Sequence, residues 1–224
     1  MAFIKTIAPA DAEGDVRAMY ERQQVAWGFV PNYAKAFCHR PEVMARWGRL
    51  LAELKRPMDP RRYELVTFAA AHALRHTACS LAHGKALTAF FDEDEVRRIA
   101  LGEAAEALTD AEQAMMEFAR QVATDASRIT SGDVDVLRSR GFTDAEIFDI
   151  AAIAAGRAFF TKILDSLGVE ADASFLAINK ELRETLTVGR PIDFRAPETL
   201  PAAPEAQSAA SPFSDELHAV PHGQ

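Results

Sequence analysis

The chain has 224 residues, 49% hydrophobic and 26% charged, enough to bury a core without disulfide or metal staples. Lys and Arg number 25 against 33 Asp and Glu, a formal charge of -8, which offers no basic field for a phosphate backbone and argues against nucleic acid as a partner. Two cysteines, Cys38 and Cys79, are too few for an extracellular disulfide framework, and no apolar run approaches the roughly 18 residues of a membrane span.

The opening MAFIKTIAPADAEGD turns acidic before an apolar stretch of signal-peptide length, so the expectation is a cytoplasmic protein with no membrane partner. Five prolines lie in the first 60 residues and six in the last 34, leaving 61–190 without any. Proline breaks helix interiors, so this gap predicts a helical zone. It is rich in alanine and lacks the β-branched alternation of strands, which predicts an all-α fold.

Helix starts follow from their caps. Asp11 opens a segment to about Trp27, and Pro31-Asn32 a short one ending near His39. Pro41 begins a helix with Val43, Trp47, Leu50 and Leu51 at helical spacing, and Asp59-Pro60 begins another, since proline at the first helical position has no donor to waste. The tetrapeptide TDAE recurs at Thr109 and Thr143 as a capping box, followed by helices to about 125 and about 167, the second stopped by Gly168. A shift of 85 residues lays Asp59–Ala71 on Asp144–Gly156, a weak internal repeat that implies two similar helical layers. The helical domain is expected to span 1–189. The run 190–224, rich in Pro, Ala and Ser, reads as a flexible tail that docks on a neighbour through Phe194 or Phe213.

Three of the six histidines and one of the two cysteines fall within HALRHTACSLAH, residues 72–83. On one unbroken helix, His72, His76, Cys79 and His83 share a stripe of about 60°. Alternatively the chain breaks near His76-Thr77, Thr77 caps a new helix, and Cys79 sits in its first turn, where free N–H groups stabilise a thiolate. In either geometry His83, one turn after Cys79, faces it and can exchange a proton with it. Glu64 lies among Tyr63, Leu65, Val66 and Phe68 and reads either as a solvated helix acid or as a buried one with a raised pKa. His72 is expected to hydrogen-bond a neighbouring helix. Cys38 is expected to be a small core residue.

These residues resemble the carboxymuconolactone decarboxylase and AhpD-like alkylhydroperoxidase superfamily, especially its peroxidase-related branch. The signature is a Glu, twelve residues to a first Cys, three to a second and four to a His. Here Glu64, His76, Cys79 and His83 stand at those intervals within ELVTFAAAHALRHTACSLAH. FVPNYAKAFCHRPEVMARW before the motif and GFTDAEIFDIAAIAAGRAFFTKILDSLGVEAD after it are similar too, so the likeness covers roughly residues 5–185. It implies an AhpD-like helical bundle, with Cys79 as peroxidatic thiol, His83 as its base and Glu64 as proton-relay acid, while His76 holds the resolving position. Histidine cannot resolve a sulfenic acid, so the expected cycle uses Cys79 alone and an external thiol reductant.

Two other chemistries fit the same residues. One is acid–base decarboxylation or isomerisation of a lactone, which needs no thiol; the other is a metal held by the His/Cys stripe, or a non-catalytic family member. The leading expectation is a hydroperoxide reductase with neither cofactor nor metal. Apolar residues on more than one face of the helix from 143, Phe148 and Phe159 among them, add a homo-oligomer, which the resemblance makes a dimer, trimer or hexamer.

Overall fold

A computed structural model describes residues 2–103 and 106–201. The described residues form ten α-helices, short 3-10 turns and no strand; a single parallel bridge pairs Ala171 with Ile192. The fold is all-α, as composition and periodicity predict. No helix among the described residues is long and apolar enough to cross a membrane.

The helices are α1 (Gly14–Trp27), α2 (Asn32–Ala36), α3 (Pro41–Lys55), α4 (Pro60–Ala73), α5 (Thr77–Leu87), α6 (Glu93–Leu101), α7 (Asp110–Asp125), α8 (Ser131–Ser139), α9 (Asp144–Ser166) and α10 (Lys180–Leu186). One start and one end differ from expectation. Asp11 ends a 3-10 turn and α1 begins only at Gly14, while the helix from Asn32 gives way to a 3-10 turn over Phe37–His39. Both TDAE sequences form the expected capping boxes, and α9 is closed by Gly168 at φ 71°.

Helix α4 is central because it is apolar nearly all round: Tyr63, Leu65, Val66, Phe68 and Ala69–Ala71 are buried, and α4 packs on α5, α7 and α9. The alanines let neighbouring backbones approach. The N-termini of α4 and α9 are tied by Arg62 and Glu146 at 3.5 Å.

From Arg190 to Leu200, where the sequence suggests a tail, the chain lies along the body. Ile192 and Leu200 are buried, Val30 N donates to Glu198 O, and Leu200 N donates to Gln24 Oε1. Phe194 is exposed, and Phe213 lies outside the described residues.

Candidate active site

The chain does break between α4 and α5, so the one-helix stripe is not formed. His76 N donates to Ala71 O and Arg75 N to His72 O, the two bonds of a Schellman motif, with Arg75 left-handed at φ 58°. The new helix is capped one residue earlier than expected. His76, not Thr77, is the N-cap: its Nδ1 accepts from Cys79 N at 3.1 Å. Thr77 Oγ1 instead accepts from Gly189 N at 2.9 Å, pinning the loop after α10 to the start of α5.

The break separates the four stripe residues by role. His72, still on α4, pairs through Nδ1 with Ser80 Oγ of α5 at 3.0 Å, the expected cross-helix bond. His76 is buried, and burial, reinforced by the Arg157 and Arg190 charges and opposed by that of Asp165, lowers its pKa to about 4. It is therefore a neutral imidazole at pH 7. Among the described residues no group of three His, Cys, Asp or Glu side chains is disposed to hold a metal ion.

Glu64 on α4 meets His83 on α5, Oε2 to Nδ1, at 2.7 Å, and Lys55 Nζ lies 3.9 Å from Oε1. Burial pushes Glu64 up, but the hydrogen bond and charge of His83, with the Lys55 and Arg157 charges, outweigh it and hold its pKa below the usual value. Glu64 is thus a carboxylate, not the neutral acid that its apolar neighbours suggest. Burial and then the Arg157 charge lower the pKa of His83 to about 4. A carboxylate only accepts, so a neutral His83 donates from Nδ1 and keeps the Nε2 lone pair for a proton.

Cys79 is buried in the first turn of α5. Burial raises its thiol pKa, and the charge and hydrogen bond of Arg157 oppose that rise. Arg157 Nη1 lies 3.6 Å from Cys79 Sγ. Arg157 projects from α9, and the sequence motif does not contain it. Its signal is a lone cation inside the apolar run IAAGRAFF. Its guanidinium sits 5.5 Å from the Trp47 ring and 5.8 Å from that of Phe160, which stack on each other at 4.2 Å. Cys38 is buried beside Tyr20, a core residue as expected.

A thiol at the start of α5 and a carboxylate–imidazole pair further along the same two helices thus carry the Glu64-His76-Cys79-His83 spacing on the α4–α5 pair. Residues 41–121 match the model of the carboxymuconolactone decarboxylase family. Over that segment the chain is similar to this family. No curated protein matches it. Among solved structures, it is similar to the AhpD-core, peroxidase-related protein of Ralstonia eutropha JMP134, with 23% identity over 84% of this chain and 98% of that one and a TM-score of 0.67. A peroxidase-related protein of Silicibacter sp. TM1040 shares 22% identity over 76% and 92% of the two chains, with a TM-score of 0.66. A cysteine-to-alanine variant of the debrominase Bmp8 in complex with 2,3,4-tribromopyrrole shares 15% identity over 83% and 98%, with a TM-score of 0.62. At these identities the structural likenesses speak for an AhpD-like fold alone.

Proposed function

We propose that this AhpD-like protein reduces small hydroperoxides through Cys79 as its single reactive thiol. The observation that carries the reading is the Glu64–His83 bond of 2.7 Å, which holds a neutral imidazole as proton acceptor one helical turn from a buried thiol. The Cys79 thiol gives its proton to His83 Nε2, and the thiolate attacks the terminal oxygen of the hydroperoxide. The S–O bond forms as the O–O bond breaks. The departing alkoxide takes the proton from His83 and leaves as an alcohol. Two molecules of an external thiol then return the sulfenic acid to the thiol, releasing their disulfide and water.

His76 supports this single-thiol cycle, because the position a resolving cysteine would take is occupied by a helix cap. A homo-oligomer belongs to the same reading, supported by Phe148 and Phe159, which lie 67% and 45% exposed on α9. Light scattering at micromolar concentration that finds a monomer removes that part.

The deciding experiment treats the protein with tert-butyl hydroperoxide and dimedone and follows the Cys79 peptide by mass spectrometry. A dimedone adduct on Cys79, absent without peroxide, is expected. Unchanged peroxide consumption by Cys79→Ser overturns the reading. Turnover of a lactone that survives Cys79→Ala and is lost in His83→Ala transfers the site to acid–base chemistry.

A further inference from the structure

We propose that Arg157 is the counter-ion of Cys79, the group that lets this buried sulfur bear negative charge as the attacking thiolate. The inference rests on Cys79 as the reacting atom of the reading above and adds a catalytic residue from outside the motif.

Arg157 is 6% exposed, and among the described residues it forms no ion pair with a carboxylate. Its Nε is buried with no hydrogen-bond partner among them. A buried guanidinium without a carboxylate partner is costly, and a nearby negative charge offsets that cost. The rings of Trp47 and Phe160 fix the guanidinium without neutralising it. Its Nη1, 3.6 Å from Cys79 Sγ, already donates toward the sulfur.

The other titratable groups around the pair do not take this role. Glu64 of α4 also feels the Arg157 charge, but it forms no ion pair with it among the described residues and is bonded instead to His83 at 2.7 Å, with Lys55 3.9 Å away. Tyr33 of α2 and Tyr63 of α4 both feel the Arg157 charge, but burial raises the pKa of each hydroxyl and keeps it neutral. His76 and His83 carry no negative charge in either protonation state. Asp165, on the same helix as Arg157, acts on Cys79 in the opposite sense and disfavours the thiolate. Among the described residues, Arg157 is the cation whose contact favours it. In the reaction Arg157 compensates the charge of the attacking thiolate; as the S–O bond forms, that charge passes to the departing alkoxide, which His83 protonates, and Cys79 is left as a neutral sulfenic acid.

The test is a pH titration of the thiolate absorbance, taken as the difference between each protein and its Cys79→Ser counterpart, so that no reagent has to reach the sulfur. Arg157→Met is expected to raise the Cys79 midpoint by about one pH unit or more, with Arg157→Lys between it and the unaltered protein. An unchanged midpoint in a folded Arg157→Met protein overturns the proposal. Should Arg157→Met fail to fold, nitrogen NMR of Arg157 Nε in the unaltered protein decides. The resonance is expected to move with the Cys79 midpoint and to stay still in Cys79→Ser; a resonance indifferent to Cys79 overturns the proposal. If both titrations follow Cys79 but hydroperoxide leaves no dimedone adduct, the counter-ion role stands and the hydroperoxide reading falls.

Discussion

Glu64 Oε2 and His83 Nδ1, 19 residues apart in the chain and on two different helices, stand 2.7 Å apart. The bond decides the tautomer of His83, because only Nδ1–H can serve a carboxylate acceptor. It thereby leaves the Nε2 lone pair free to accept a proton.

Glu64→Gln keeps the size of the side chain and removes its charge. The amide no longer enforces the Nδ1–H tautomer, and the contributions that raise the His83 pKa against burial are lost. The expected outcome is a fall in hydroperoxide turnover of about 10²-fold with an unchanged melting temperature within a few degrees. Nitrogen NMR of His83 should show a mixed tautomer and a protonation midpoint below that of the unaltered protein. Full turnover in Glu64→Gln would show that the bond does not serve the chemistry.

Acidification should weaken the fold between pH 6.5 and 4. His76 and His83 have folded pKa values of about 4, against 6.5 for the free imidazole, so in that window the unfolded chain binds more protons and stability falls as pH falls. Each histidine contributes about 3 kcal/mol to that loss. Asp172 works in the other direction. Its folded pKa is about 6 against 3.8, chiefly through burial, so below pH 6 the folded state binds the extra proton and gains stability. The net expectation is a lower melting temperature at pH 4.5 than at pH 7. Asp172→Asn should steepen the decline, and a flat or rising profile would contradict the burial of the two imidazoles in neutral form.

Much of this site is local in sequence and therefore legible there. TDAE states its own capping box, and the Glu64-His76-Cys79-His83 spacing survives any placement of the helix break. The break itself has no local mark, because the left-handed residue of its Schellman motif is Arg75 where glycine usually marks the turn. His76 as N-cap is hidden in the sequence for a similar reason: imidazole is not among the usual capping side chains, whereas the hydroxyl of Thr77 beside it is. Arg157 lies 78 residues from Cys79, and nothing local to either residue announces the contact. The stretch from Arg190 to Leu200 has the composition of a tail, yet its backbone finds partners in α1 and in the loop before α2, which composition does not encode.

The cap is separable from the burial of its ring. His76→Ala removes both the acceptor for Cys79 N and a buried side chain, whereas His76→Asn removes ring volume but keeps an oxygen at N-cap. Asn is therefore expected to be more stable than Ala by about 1 kcal/mol. For a chain of this size that is roughly 2–4 °C in melting temperature by calorimetry. Equal stabilities would mean that the Cys79 N–H finds another acceptor and that His76 does not fix the start of α5.

Gly189 holds the loop after α10 against the turn that precedes the site. A Cβ built there would stand 1.9 Å from Arg75 O, a backbone atom that cannot rotate away, and Gly189 N donates to Thr77 Oγ1 at 2.9 Å. Gly189→Ala must therefore push the loop off Arg75 and stretch the bond to Thr77. The expected cost is about 1–3 kcal/mol, the range for forcing extra atoms into a packed position. Because Thr77 is the first residue of α5, two before Cys79, the displacement should also speed hydrogen exchange of the α5 amides and leave those of α7 unchanged. A Gly189→Ala protein with unaltered melting temperature and α5 exchange would show that the loop moves freely and does not brace the site helix.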